Sequence, residues 1–193
     1  WTTPMTSHNN MPLLQGLSRI LRGLLAVMLL SASAPVMADE TRIPEYQVKT
    51  AFLYNFSRFV TWPQATLQHR PEFTLCVTGT DPFGPELDKL AGKAVQDKTL
   101  VVRRHSSLAM IDDCQLVYIG DDAAHSEILL LLGKQPVLTV SDAAGFTEEG
   151  GIIQFMLSQN KVRFRINVGA ANAAGLNISS KLLSLADSVT GDN

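Results

Sequence analysis

From Glu45 to Val60 the chain places Val48, Phe52, Phe56, Phe59 and Val60 at helical spacings, with Lys49, Asn55 and Arg58 between them. That pattern predicts an amphipathic helix with one apolar face. Pro63 disfavours helical geometry at Trp62 and closes it. A polar connector follows, and then apolar runs of strand length alternate with helical stretches. Phe73–Gly79 reads as a strand, followed by a helix with Asp81 as N-cap, Pro82 at its first position and Gly92 near its end. Thr99–His105 reads as a second strand, Gln115–Gly120 as a third and Pro136–Asp142 as a fourth, with a helix over "DDAAHSEILLLLGKQ" before the last. Apolar strands alternating with helices are the pattern of a parallel sheet covered on both faces.

The last third changes style. Gly150–Gln159 and Lys161–Val168 flank a short polar turn at Asn160, which predicts an antiparallel hairpin. In its second strand Val162, Phe164, Ile166 and Val168 alternate with Arg163, Arg165 and Asn167, giving one buried and one wet face. "GAANAAG" reads as a helical turn stopped by Gly175, and Ser179–Val189 as a final helix. The expected fold is α/β: a single open sheet of about six strands, four parallel and a C-terminal antiparallel hairpin, with helices on both faces.

Residues 1–38 are read apart from the fold. Arg19 and Arg22 form a basic start, Gly23–Ala34 is uncharged and apolar, and "PVMA" ends on Ala38 with Val36 two positions earlier. This is the pattern of a secretory signal peptide cleaved after Ala38. The apolar run is shorter than the roughly twenty residues a spanning helix needs. Residues 39–193 then form a single domain large enough for a full core.

Export changes the reading of charge and cysteine. The 16 Lys and Arg of the chain, less Arg19 and Arg22, leave 14 against 18 Asp and Glu, a net charge of −4. No basic stripe is present to neutralise phosphates, so nucleic acid is not an expected partner. Cys76 and Cys114 are the only cysteines. In an oxidising compartment a disulfide is the leading reading and two free thiols the alternative. No CxxC or paired histidine spacing suggests a metal site, and no cofactor is expected.

Open α/β sheets bind ligands beyond the carboxyl ends of their parallel strands. Those positions here make a candidate crevice of Gly79, Thr80, Asp81, Gly120 and Asp121. Asp81 and Asp121 also stand where helix caps belong, and capping is the simpler reading. His105 and Ser106 with Asp112 and Asp113 supply the residue types of a triad, yet adjacent residues of a strand point to opposite faces. No GxSxG, P-loop, GxGxxG or HExxH motif occurs. His125 is expected on the surface. These readings favour a protein that works by contact rather than catalysis.

The aromatic concentration in "VKTAFLYNFSRFVTWP" admits a membrane-surface helix, a stacking site or a packing face. A membrane helix needs a strongly basic polar face and a stacking site a basic groove, and neither is present. The rings are therefore expected to seal the helix onto the sheet, with Tyr54 pointing to the other side.

Together with "FTLCVTG", "DPFG", "GFTEEGGIIQF" and "KVRFRINVGAANAAGLNISSKLLSLA", that helix resembles the YfiR family over about Tyr46 to Ala186. The resemblance implies a non-enzymatic periplasmic repressor that binds the periplasmic portion of a membrane diguanylate cyclase, lowering cyclic di-GMP and biofilm formation. It implies an outer-membrane, peptidoglycan-associated lipoprotein as a second partner that titrates the repressor away. A disulfide between the first strand and the region before the third, implied by the resemblance, fits Cys76 and Cys114. A second cysteine pair found in some relatives is absent from this sequence. The expected contact surface is the wet face of the final hairpin together with the segment just after it: Gln154, Arg163, Arg165, Asn167 and Asn172. A charged edge that only guards the sheet from aggregation is the alternative for these residues. A homodimer through the first helix or the sheet edge, and a periplasmic small-molecule binding module using the Gly79 crevice, are the other expectations.

Overall fold

The structure is a computed structural model that describes residues 1, 42–105, 111, 113–120 and 124–191, without the side chains of 42–44 and 105. The proposed signal segment, Ser106, Asp112, Asp121 and Asp122 lie outside the described residues.

Helix α1 (Arg42–Phe59) carries the aromatic stretch. Leu53 and Phe56 on it and Val60 just after it are fully buried, and Lys49 and Ser57 share that side. Val48, expected on the apolar face, is 44% exposed. At about 100° per residue, Val48 lies a full step from Lys49 and faces away from the Leu53–Phe56 stripe. Phe52, on the flank, still meets Phe164 edge-on with centroids 5.2 Å apart. Phe56 meets Phe155 and Phe164 at 5.6 and 5.0 Å. The rings therefore close the helix onto the sheet.

The chain leaves α1 through β1 (Val60–Thr61), where the helix was expected to run on to Val60, and then through α2 (Gln64–Leu67), within the stretch expected to be a connector. Trp62 is buried there, its Nε1–H donating to the Gln115 carbonyl at 3.1 Å and its ring edge-on to Phe73. The main sheet comprises β2 (Glu72–Thr78), β3 (Ala94–Val95), β4 (Lys98–His105), β5 (Leu116–Ile119), β6 (Leu138–Ser141), β7 (Ile153–Ser158), β8 (Lys161–Asn167) and β10 (Ser188–Thr190). Its order is β10-β8-β7-β6-β5-β2-β4-β3. A separate pair joins β1 antiparallel to β9 (Asn177–Ile178).

The four expected parallel strands are β2, β4, β5 and β6, and β7 extends them by pairing parallel to β6. β7 and β8 form the expected antiparallel hairpin, from Ile153↔Ile166 to Ser158↔Lys161. Gln159 and Asn160 at its tip have φ of 50° and 59°, matching a tight two-residue turn that follows the strand twist. Two edge strands enlarge the expected six to eight. β3 reaches β4 through Gln96 and Asp97, again with positive φ at both turn residues.

β10 replaces the end of the expected Ser179–Val189 helix. Helix α6 (Ser180–Leu183) stops early, and Ser188–Thr190 pair parallel with β8. The otherwise open edge of β8 supplies hydrogen bonds that a lone terminal helix would not, and Val189 and Thr190 favour strand geometry. A second correction concerns Asp81. Its Oδ1 accepts from the N–H groups of Phe83 and Gly84 at 2.8 and 3.3 Å, closing a turn ahead of α3 (Pro85–Asp88). Gly84 has φ 53°, outside helical geometry, so Pro85 rather than Pro82 opens the helix.

Alternation along the strands divides the core between two faces. Phe73, Leu75, Val77, Leu116, Tyr118, Leu138, Val140, Phe155 and Phe164 join α1, α3, α5 (Val168–Ala173) and α6 on one side. Cys76, Val117, Ile119 and Phe146 join α4 (His125–Leu132), through Ile128 and Leu132, on the other. Helices thus lie on both faces, as expected.

Candidate functional site

The register of the hairpin puts Gln154 opposite Arg165 and Met156 opposite Arg163, on the face away from Phe155 and Phe164. Lys161, Arg163 and Arg165 follow at every second position of β8 and share that face. Lys161 and Arg163 are exposed, and Arg165 is half-buried. Arg165 Nη1–H donates to Glu148 Oε1 at 3.2 Å, while its Nε–H, sheltered from solvent, has no acceptor. Gln154 is buried, its Oε1 accepting from Thr147 Oγ1 at 3.3 Å.

The segment carrying Thr147 and Glu148 is held beside the hairpin by its own glycines. Gly145 and Gly150 have φ of 81° and 101°. A Cβ on Gly151 would lie 2.2 Å from the Phe146 ring, so that position must remain glycine for Phe146 to seat in the second core. The N–H of Glu148 itself and the Thr147 hydroxyl, then the Arg165 guanidinium, hold the Glu148 carboxyl below the usual glutamate range.

Asn167 has a different task. Its Oδ1 accepts from Ala170 N–H at 2.9 Å, capping α5, while Nδ2–H donates to the Thr147 carbonyl at 2.9 Å. Asn172 is exposed on α5. The five expected contact residues therefore divide. Arg163, Arg165 and Asn172 present polar groups outward, whereas Gln154 and Asn167 brace the hairpin against residues 147–148.

The expected crevice falls where the parallel strands β2 and β5 lie side by side and the chain order reverses between them. This switch point is where open α/β sheets place ligands. Here Gly120 N–H donates to the Thr78 carbonyl at 2.8 Å, and a Cβ on Gly120 would lie 2.4 Å from the Thr80 carbonyl oxygen. The backbone of Thr80 thus packs directly on Gly120. Asp81 Oδ2 accepts from Arg104 Nε–H at 2.6 Å, and Arg104 also donates to Asp88 at 2.7 Å and to the Gly84 carbonyl at 2.9 Å. These carboxylates raise the Arg104 pKa. Asp121 lies outside the described residues.

Sequence reasoning missed two polar arrangements. His125, expected on the surface, is half-buried at the start of α4, with Nε2 3.1 Å from Ser141 Oγ and its ring edge-on to Phe146. Ser141 O–H donates to the Ile119 carbonyl at 2.7 Å, so the hydroxyl proton faces the sheet, and Nε2 is a donor to Oγ. The second arrangement is Lys49, 3% exposed, bonded to Glu45 and to Asp142. Its sequence signal was the Glu45–Lys49 spacing, a helical i, i+4 pair. Asp142, far along the chain, carried none.

Cys76 on β2 and Cys114 ahead of β5 form a disulfide with Cα atoms 5.9 Å apart, buried in the second core. Among the described residues no group of three His, Cys, Asp or Glu is placed to hold a metal.

A doubly wound open sheet with an appended antiparallel hairpin and a buried disulfide defines the class of domain. The chain matches the YfiR/HmsC-like family over residues 46–187 and belongs to that family. A crystal structure of a conserved domain protein from Vibrio cholerae O1 biovar El Tor has a similar fold, with a TM-score of 0.50 at 12% identity. The similarity covers 75% of this chain and 60% of the Vibrio chain, so the protein spans less than two thirds of that neighbour. No curated protein matches the chain.

Proposed function

We propose that the protein is an exported, non-enzymatic regulator that binds the periplasmic portion of a membrane diguanylate cyclase and holds cyclic di-GMP and biofilm formation down. Its match to the YfiR/HmsC-like family across residues 46–187 carries this reading. The Cys76–Cys114 disulfide is consistent with an oxidising compartment. An outer-membrane, peptidoglycan-associated lipoprotein would compete for the regulator and so relieve repression. Arg163, Arg165 and Asn172 supply the outward-facing contact groups.

Deletion of the gene tests the proposal. Cellular cyclic di-GMP should rise, and a tagged copy should retain a membrane diguanylate cyclase from solubilised envelopes. Unchanged cyclic di-GMP together with no retained cyclase overturns it.

A second reading, a periplasmic small-molecule binding module, is favoured by the position of Gly79, Thr80 and Gly120 at the sheet's switch point. A ligand at a hundred times its Kd would stabilise the protein by about 2.7 kcal/mol. A thermal-shift screen of periplasmic metabolites in which none raises Tm removes this alternative.

A further inference from the structure

The hairpin face is basic in a domain whose balance is acidic. Lys161, Arg163 and Arg165 stand about 7 Å apart along β8, the repeat of same-face residues on a strand. Lys161 and Arg163 are exposed and make no ion pair with any described residue. Met156 lies opposite Arg163 and is half-buried. Methionine and arginine are both enriched at protein interfaces. Three cations on one strand are few for a nucleic-acid groove, and a membrane surface would want larger apolar groups beside them.

Arg165 already shows how such a face takes a carboxylate. Its partner, Glu148, is 62% exposed and accepts one hydrogen bond of 3.2 Å from a guanidinium that can donate two to one carboxylate. An exposed single contact of this kind is weak.

We propose that the Lys161–Arg163–Arg165 row is a docking track for an extended acidic protein segment with carboxylates at alternate positions, and that Glu148 is an internal stand-in displaced from Arg165 on docking. This deepens the functional reading above, on which it rests, by giving the chemistry of the partner. A strand-like partner matches the track because its own same-face side chains repeat at the same spacing. Arg165 then exchanges a single internal bond for a forked one.

The probe is a capped Glu-Thr-Glu-Thr-Glu peptide, titrated into the full domain while backbone amide signals are followed by NMR, with a Lys-Thr-Lys-Thr-Lys peptide as control. The acidic peptide should shift the signals of β7 and β8 around Met156, Lys161, Arg163 and Arg165, and the basic one should not. Arg163→Glu should weaken the response by about fivefold or more at low salt, and Glu148→Ala should strengthen it. No localised shift, or a response indifferent to Arg163→Glu, overturns the track; an unchanged response in Glu148→Ala overturns the stand-in. Phosphatidylglycerol vesicles that shift the same signals where the peptide does not would overturn the protein partner in favour of a lipid surface. The purified periplasmic portion of the retained cyclase separates the two proposals. Binding that survives Arg163→Glu overturns the track alone, whereas no cyclase partner beside an intact peptide response overturns the functional reading alone.

Discussion

Lys49 Nζ, on the first helix, lies 2.7 Å from Asp142 Oδ2 at the end of β6, and the lysine is 3% exposed. Glu45 bonds the same ammonium, and the Tyr46 ring lies 4.6 Å from it. The helix that packs through Leu53 and Phe56 is thus also fixed at its N-terminal half by a sheltered charge. Removing one partner of a buried ion pair leaves the other charge uncompensated, a larger loss than the pair's own net contribution. Lys49→Met, which conserves length, should therefore destabilise the domain by roughly 3 kcal/mol. A urea midpoint equal to that of the wild type would contradict this account.

Phe56 and Val48 test which side of α1 is buried. Phe56 is fully buried against Phe155 and Phe164, whereas Val48 is 44% exposed. Phe56→Ala should cost roughly 3 to 5 kcal/mol. Val48→Ala should stay within about 0.5 kcal/mol of the parent. Comparable losses at both positions, measured by denaturant titration, would mean that the helix is rotated from the orientation described.

The Cys76–Cys114 bridge spans 38 residues and sits among Val117, Ile119 and Ile128. Replacing both cysteines by alanine should lower stability by about 4 kcal/mol in the chain-entropy account, which counts the freedom regained by the unfolded chain. The double variant should show the same unfolding midpoint with and without reductant, while that of the wild type falls when reductant is added. A reductant-insensitive wild type would show that the bridge contributes little.

Glu148 has a pKa below the ordinary glutamate value of 4.5, held there by its own N–H, the Thr147 hydroxyl and Arg165. A depressed folded-state pKa contributes stability that is present above the unfolded value and lost as pH falls through the folded one. The window is therefore acidic, below 4.5, and neutral conditions leave the contact intact. Thr147→Val should move the Glu148 carboxyl upward toward 4.5 in an NMR titration. An unshifted carboxyl signal would mean that the hydroxyl is not among the causes.

Much of the architecture was legible in residue order. The period of two in Val162, Phe164 and Ile166 foretold the hairpin's two faces, the largely apolar runs foretold β2, β5 and β6, because strands buried on both sides carry few charged residues, and the short run Leu100–Val102 foretold the half-exposed β4. The edge strands were not legible. Ala94–Val95 and Ser188–Thr190 are short, and they become strands because β4 and β8 offer unpaired backbone beside them. In the candidate site Arg163, Arg165 and Asn172 could be placed outward from alternation and helix position, but Gln154 and Asn167 could not be assigned to bracing. Thr147, which bonds both, lies in the loop leading into β7, and no residue pattern shows that this loop folds back over the hairpin.

By itself, the sequence determined the alternating α/β plan, the hairpin with its basic face, the aromatic seal of the first helix and the family signature, all of which arise from local period and residue type. Only the tertiary structure decided that Lys49 meets Asp142, that His125 turns in to Ser141, that Thr80 packs on Gly120 and that Glu148 lies on Arg165. Those pairs are formed by strand order, by crossovers and, for Glu148 and Arg165, by the fold-back of the hairpin, which bring residues separated along the chain within bonding distance. Spacing along the chain carries no record of such meetings.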